Sequence, residues 1–319
     1  EYAIEWWYAT GNLRADNGAE YGYQFTIFRT AMPQRPAATA ASAWRADAVY
    51  MAHFALTDVG AQTFSASERF QRGTLGLAGA QAAPLRVWVD DWQFVSPADG
   101  QVRIVAATAD AAVDLTLDLT APVLLQGDDG LSQKSAGLGN ASYYYSIPRM
   151  QTRGTVRSGA VSTAVSGLSW LDREWSTSAL APDQVGWDWF ALHLDDGSDL
   201  MLYQLRTPTG ATHPYSSGMH RSADGTQTRL AATDITWTPR GSWISPHTSA
   251  AYPAAWQLTI APLALELEVT PVLADQELPV LVRYWEGAVR VAATQAGTPL
   301  GGAGYLEMTG YADKAVATP

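Results

Sequence analysis

The sequence predicts an all-β protein of two domains, barrels or sandwiches, and three observations carry that reading. Short runs of alternating apolar and polar residues return every 8–12 residues or so (roughly), with Gly- and Asp-containing turns between them. The 27 glycines and 17 prolines are spread throughout, which leaves little room for long helices. The length, 319 residues, suits two units of roughly 150.

Taken in order, residues 6–30 read as a hairpin. Trp7, Ala9, Gly11 and Leu13 alternate with Tyr8, Thr10, Asn12 and Arg14; Asp16-Asn17-Gly18 turns the chain; Tyr21, Tyr23, Phe25 and Ile27 resume the alternation. The Ala/Pro-rich stretch 31–47 reads as a loop long enough for a lid. A strand over 49–57 sets His53 opposite Phe54 and Leu56, whereas 64–83 is rich in small residues and reads as irregular. Strands are expected at 85–92, 102–107 and 113–119, a second long loop at 126–141, and strands again at 143–148 and 152–168. In the second half, Trp189-Phe190-Ala191, Asp196-Gly197 and Tyr203-Gln204 echo Trp7-Tyr8-Ala9, Asn17-Gly18 and Tyr23-Gln24, though not at a fixed spacing. Further strands are expected near 230–238, 255–260, 264–270, 281–292 and 303–311.

Composition removes several functions. A net charge of −11 with no Lys/Arg run argues against nucleic acid as a partner and against an anionic membrane surface. Without cysteine there is no disulfide or thiol chemistry. No apolar run reaches the ~18 residues of a spanning helix, so no integral membrane segment is expected. The histidine spacing makes no metal set, and no phosphate-cradling glycine loop precedes a helix, so neither a metal nor another cofactor is expected. Neither Gly-x-Ser-x-Gly nor His-Glu-x-x-His occurs, so a hydrolase would lack its nucleophile or metal centre. A first residue of Glu1 rather than Met suggests that a signal segment or tag has been removed.

The chemistry concentrates at mid-chain. Between Gly167 and Thr207 lie four of the 13 tryptophans, Trp170, Trp175, Trp187 and Trp189, interleaved with Asp172, Arg173, Glu174 and Asp188. Charges among large aromatics are costly unless paired or used, and ligand pockets favour domain junctions. The junction is therefore expected here, dividing the chain into 1–176 and 177–319, with an apolar pocket in or between the domains. On a strand, Trp170, Asp172 and Glu174 share one face and Leu171, Arg173 and Trp175 the other. Two carboxylates on one face could act as a general acid and its partner, or could serve in inter-domain ion pairs. Trp187 and Trp189 share a face opposite Asp188 and Phe190, so Asp188 is either hydrogen-bonded to backbone or functional. His53 sits in apolar surroundings as a packed histidine or a catalyst, and one of Tyr143, Tyr144 and Tyr145 should face an interior. The catalytic candidates are thus Asp172, Glu174 and Asp188. The ligand-binding candidates are Trp7, His53, Tyr144, Arg173, Trp175, Trp187, Trp189 and Tyr203. Trp175 in particular is expected to line or border the pocket.

Several motifs together extend this reading: Glu5-Trp6-Trp7-Tyr8-x-Thr10-Gly11-x-Leu13, Gly22-Tyr23-Gln24 with Phe28-Arg29, Ala52-His53-Phe54-Ala55, Tyr143-Tyr144-Tyr145 with Pro148-Arg149, Trp170-Leu171-Asp172-Arg173-Glu174-Trp175, and Gly302-x-Gly304-Tyr305-x-Glu307-x-Thr309-Gly310-Tyr311. The set resembles the AttH-like family, related to carotenoid 1,2-hydratases, over nearly the whole chain. The resemblance implies two lipocalin-like (calycin) barrels, a hydrophobic lipid or isoprenoid ligand, and a secreted or periplasmic location. It also implies either acid-catalysed conversion of that ligand or, alternatively, a non-catalytic carrier or attachment-related role. A His-x-Trp triplet of the hydratase branch corresponds here to Arg173-Glu174-Trp175, and a Tyr-x-Asp triplet to Tyr203-Gln204-Leu205, so the histidine is replaced by Arg173 and the acid by Leu205.

Overall fold

A computed structural model describes residues 2–33, 43–137, 139–177 and 180–312. The first sheet holds β1 (Ile4–Arg14), β2 (Glu20–Ala31), β3 (Ala48–Asp58), β4 (Thr63–Arg72), β5 (Ala78–Ala82), β6 (Leu85–Val89), β7 (Trp92–Val95), β8 (Gln101–Ala107), β9 (Ala111–Asp118), β10 (Leu124–Leu125), β11 (Leu131–Gln133), β12 (Ala141–Ser158) and β13 (Val161–Ser176). The second holds β14 (Gly186–Leu194), β15 (Asp199–Arg206), β16 (Ser217–Arg221), β17 (Gln227–Ala231), β18 (Ile235–Arg240), β21 (Ala255–Ile260), β22 (Leu265–Pro271), β23 (Glu277–Leu278), β24 (Tyr284–Gln295) and β25 (Thr298–Thr309); β19 (Trp243–Ile244) and β20 (Ala251–Tyr252) pair apart from it. Both sheets are antiparallel and nearly closed, making two lipocalin-like β-barrels. Their strand orders correspond: β4-β3-β2-β1-β13-β12-β9-β8 in one, β17-β16-β15-β14-β25-β24-β22-β21 in the other. The gap between β4 and the far strands of the first barrel is bridged by side chains: Arg69 pairs with Asp91 and lies 4.3 Å from the Trp92 ring, and Gln71 Nε2 donates to Asp90 at 2.9 Å.

Most strands lie where alternation put them, because alternation reports a sheet with one buried face. The main exceptions are 64–83, expected as irregular but containing β4 and β5, and the stretch around His220, where β16 forms without having been expected. β4 is a half-buried edge strand, so no strongly apolar face marks it in the sequence. The expected lid loop at 31–47 falls largely outside the described residues. The loop expected at 126–141 is present but contributes the short strand β11, which pairs with β12.

Each barrel has its own core. Trp7, Ala9 and Leu13 point into the first with Phe25, Ile27, Trp92 and Phe94; Phe190 and Leu192 point into the second with Trp256, Leu258 and Trp285. A third apolar layer lies between the barrels and includes Tyr8, Tyr144, Trp170, Trp189, Tyr203 and Tyr305. The echo of Trp7 by Trp189 is therefore one of sequence only: Trp7 faces a barrel interior and Trp189 the layer between barrels. Backbone is close at this contact, since a Cβ on Gly22 would lie 2.6 Å from Ala288 Cβ and 2.8 Å from the Tyr305 hydroxyl. Side chains also cross it: Thr57 Oγ1 donates to Gln276 Oε1 at 2.7 Å, and Arg149 Nε to Asp199 Oδ1 at 3.0 Å.

Candidate functional site

Between the barrels lies a cavity of about 690 Å³. The first barrel contributes Trp6, Tyr8, Phe28, Tyr144, Asp172 and Glu174; the second contributes Trp187, Trp189, Tyr203, Tyr284, Glu286 and Glu307; Lys134 and Asn140 reach in from the β11–β12 turn. Period-two alternation explains the set. Trp6 and Tyr8 on β1, Asp172 and Glu174 on β13, and Tyr284 and Glu286 on β24 are spaced by two, so each pair leaves its barrel on the outer face. A smaller hollow of about 380 Å³ at Gln62, His247 and Asp275 holds none of these acids.

The four carboxyls differ in their partners. Asp172 accepts from three neutral donors: Tyr144 hydroxyl at 2.5 Å, Trp170 Nε1 at 2.7 Å, and Ser146 Oγ. Burial pushes its pKa up to about 7 despite these donors, with Glu174 adding to the rise. Glu286 and Glu307 face each other across β24 and β25, which sets their Cβ atoms roughly 5 Å apart. Glu307 is pushed up to about 8, first by burial; the Trp187 indole donates to it and opposes the rise. Glu286 is driven well above the ordinary carboxylate range by burial and by Glu307, although Tyr8 and Tyr284 both hydrogen-bond it. Two carboxyls so placed do not both ionise. Glu174 pairs with Lys134 at 3.5 Å. Burial works against the Lys134 charge, but the Glu174 carboxylate and its neighbours outweigh it and hold the pKa above the ordinary lysine value. The Lys134 ammonium also lies 4.3 Å from the Tyr203 ring.

Of the sequence candidates, Asp172, Glu174, Tyr144, Trp187, Trp189 and Tyr203 meet at this cavity. The others lie elsewhere, each for a reason of face. Trp175 and Arg173 are one residue out of step with Glu174, so they point away from the cavity. Trp175 stacks on Tyr143 at 5.9 Å, and Arg173 donates to Glu5 at 2.6 Å and to the Trp6 carbonyl at 2.7 Å, with its guanidinium 4.0 Å from the Trp7 ring. That corrects the expectation that Trp175 borders the pocket. Trp7 belongs to the first barrel's core. Asp188 turns into the second barrel, where Arg206 donates at 2.6 Å and the Tyr311 hydroxyl at 2.9 Å; burial still outweighs the arginine and pushes its pKa up to about 6. His53 stands behind the wall, its Nδ1 2.7 Å from the Tyr284 hydroxyl. Burial lowers its pKa to about 4, so it is neutral at neutral pH, and Glu68, 3.6 Å from Nε2, is too far to hydrogen-bond it and reverse this.

Sequence reasoning missed Glu286 and Glu307. A signal existed: Tyr284-Trp285-Glu286-Gly287 sets a lone charge among aromatics, and Glu307 lies within the motif Gly304-Tyr305-x-Glu307. Among the described residues, no group of three or more His, Cys, Asp or Glu side chains is arranged to hold a metal ion. No helix among them is long and apolar enough to cross a membrane.

Two calycin barrels enclosing an acid-lined, aromatic-walled cavity on their outer faces define the class of protein. The chain belongs to the AttH-like family, whose sequence model matches residues 1–311. Among solved structures it is similar to a Nitrosomonas europaea protein assigned as AttH, with 36% identity, covering 98% of this chain and 93% of that one at a TM-score of 0.87. It shares its fold with kievitone hydratase from Nectria haematococca (18% identity, 96% and 88% covered, TM-score 0.74) and with CghA, solved with Sch210972 (13% identity, 98% and 89% covered, TM-score 0.57). No curated protein matches by sequence.

Proposed function

We propose that the protein is an acid–base catalyst of the hydratase or isomerase type, acting on a hydrophobic, alkene-containing molecule of lipid or isoprenoid character held between the barrels. One observation carries this reading: buried carboxyls face an apolar cavity of drug-like size, where burial raises Glu307 far enough to hold its proton at neutral pH. Glu307, with the fewest donors, is the general acid. Its proton goes to one alkene carbon, and the cation formed at the other lies among the rings of Trp187, Trp189 and Tyr8. Asp172, titrating about neutrality, is the base. If it takes the proton of an attacking water, the product is the alcohol; if it takes a proton from the neighbouring carbon, the product is the isomeric alkene. Lys134, Asn140 and Ser142 form a polar rim for an oxygen-bearing end of the substrate. The likeness in fold to a hydratase supports the reading.

The test is incubation with isoprenoid and prenylated aromatic alkenes in isotopically heavy water. The expected product carries solvent hydrogen on carbon. Glu307→Gln should lower turnover by at least ~100-fold, the lower end of what a positioned acid contributes, while binding, read by tryptophan quenching, persists. Saturable binding with no isotope incorporation by the unaltered protein would sink the catalytic reading in favour of a carrier.

A further inference from the structure

Glu286 is 1% exposed, yet one line of polar groups runs from it to the surface on the side away from the cavity. Glu286 is hydrogen-bonded by Tyr284. The Tyr284 hydroxyl meets His53 Nδ1 at 2.7 Å. His53 is 1% exposed, and its Nε2 has no hydrogen-bond partner. That nitrogen points at Glu68 Oε2, 3.6 Å away, and the Glu68 side chain is 28% exposed while accepting from the Leu281 backbone N–H at 3.1 Å. The line crosses between barrels: Glu68 and His53 come from adjacent strands of the first, where they are direct cross-strand partners, and Tyr284 and Glu286 come from β24 of the second.

We propose that Glu68, His53 and Tyr284 form a proton relay that connects Glu286, the cross-strand neighbour of the general acid Glu307, to solvent and resupplies the proton of that carboxyl pair after each turnover. The relay rests on the acid–base reading for its purpose, but its existence does not. Each part suits the task. A buried neutral imidazole can receive a proton at one nitrogen while giving up the proton on the other, and a phenol does the same at one oxygen. The gap at 3.6 Å is longer than a hydrogen bond, and it closes when a proton placed on Nε2 makes an imidazolium opposite the Glu68 carboxylate. In the transfer, Nε2 gains a proton from the Glu68 side, Nδ1–H passes to the Tyr284 oxygen, and the Tyr284 proton passes to the Glu286 carboxylate. Each group ends with as many protons as it began, except Glu286, which gains one. His53 thus acts through Tyr284 and Glu286 from behind the cavity wall that Tyr284 lines. A packing role alone would need neither an orphaned Nε2 nor an acid aimed at it.

The test uses the intact protein without substrate, so it fails or succeeds separately from the proposed reaction. Infrared spectroscopy of the protonated carboxyl stretch, assigned with Glu286→Gln, follows hydrogen-to-deuterium exchange at Glu286 after transfer to deuterium oxide. His53→Phe keeps a ring but removes both nitrogens. It should slow that exchange by about 100-fold, a step of the size a positioned acid–base group provides. Tyr284→Phe, which keeps the ring and loses the hydroxyl, should slow it similarly, and imidazole added to His53→Ala should restore it. Backbone amide exchange on β24 shows that each variant remains closed. Unchanged exchange in a closed His53→Phe or Tyr284→Phe protein overturns the proposal, as does the absence of a protonated Glu286 band at neutral pH.

Discussion

The two walls of the cavity come from corresponding strands, β12 and β13 in one barrel and β24 and β25 in the other, yet they treat their acids in opposite ways. On the first wall the position across from Asp172 is Ser146, a donor. With Tyr144 and Trp170 it surrounds the carboxyl with hydrogen bonds. On the second wall the position across from Glu307 is Glu286, another acid, and donors are fewer. The same strand geometry thus yields a carboxyl poised about neutrality on one side and a pair that retains a proton on the other. Fold supplies the positions, and the cross-strand neighbour decides what each acid does.

The largest effect that would break this contrast is expected on the donor-rich side. Asp172→Asn sets an amide N–H against groups that are themselves donors. It should destabilise the protein by about 2 kcal/mol, the scale of a mismatched buried polar group, as read by denaturant unfolding at pH 7. A neutral effect would show that the three hydrogen bonds are not made to a carboxylate.

The raised acids of both walls set the pH dependence of stability. In the native protein Asp172 and Glu307, raised to about 7 and about 8, keep protons that the unfolded chain loses at about pH 4. Their contribution to stability is full below pH ~4 and is lost as pH rises through their folded values, since the native state then binds more protons than the unfolded state. His53, lowered to about 4, acts oppositely, but only up to the ordinary histidine value of about 6.5. Melting temperature should therefore fall between about pH 6.5 and pH 9, and Glu307→Gln should flatten the fall and raise the melting temperature at pH 8, where the unfolded chain gains from a carboxylate that the native site only half ionises. A melting temperature that rises over this window would contradict the raised values.

The smallest effect sharpens the comparison of faces. Trp187→Ala, on the cavity wall, should weaken binding of an apolar probe by at least ~1 kcal/mol. Trp175→Ala, on the opposite face of its strand, should change it by less than ~0.5 kcal/mol, the usual range for substitutions away from a site. Equal losses would mean that the probe binds elsewhere.

What the sequence by itself determined is what depends on neighbours along the chain. Alternation separated Asp172 and Glu174 from Arg173 and Trp175, and Trp187 and Trp189 from Asp188, before any contact was visible, because successive side chains on a strand face opposite ways. Alternation and turn spacing reached all-β, barrels or sandwiches, and the resemblance to the AttH-like family implied the two lipocalin-like barrels. The tertiary structure alone decided which faces meet. Tyr8 bonds a glutamate 278 residues away, and Trp189 Nε1 donates to the Tyr144 hydroxyl at 3.0 Å across the two barrels. Glu286 and Glu307 became cavity acids only when β24 paired with β25 and that pair turned its outer face to β1 and β13. A carboxyl's proton affinity is set by burial and by such distant partners, so it is written in the packing of the two barrels and not in either strand.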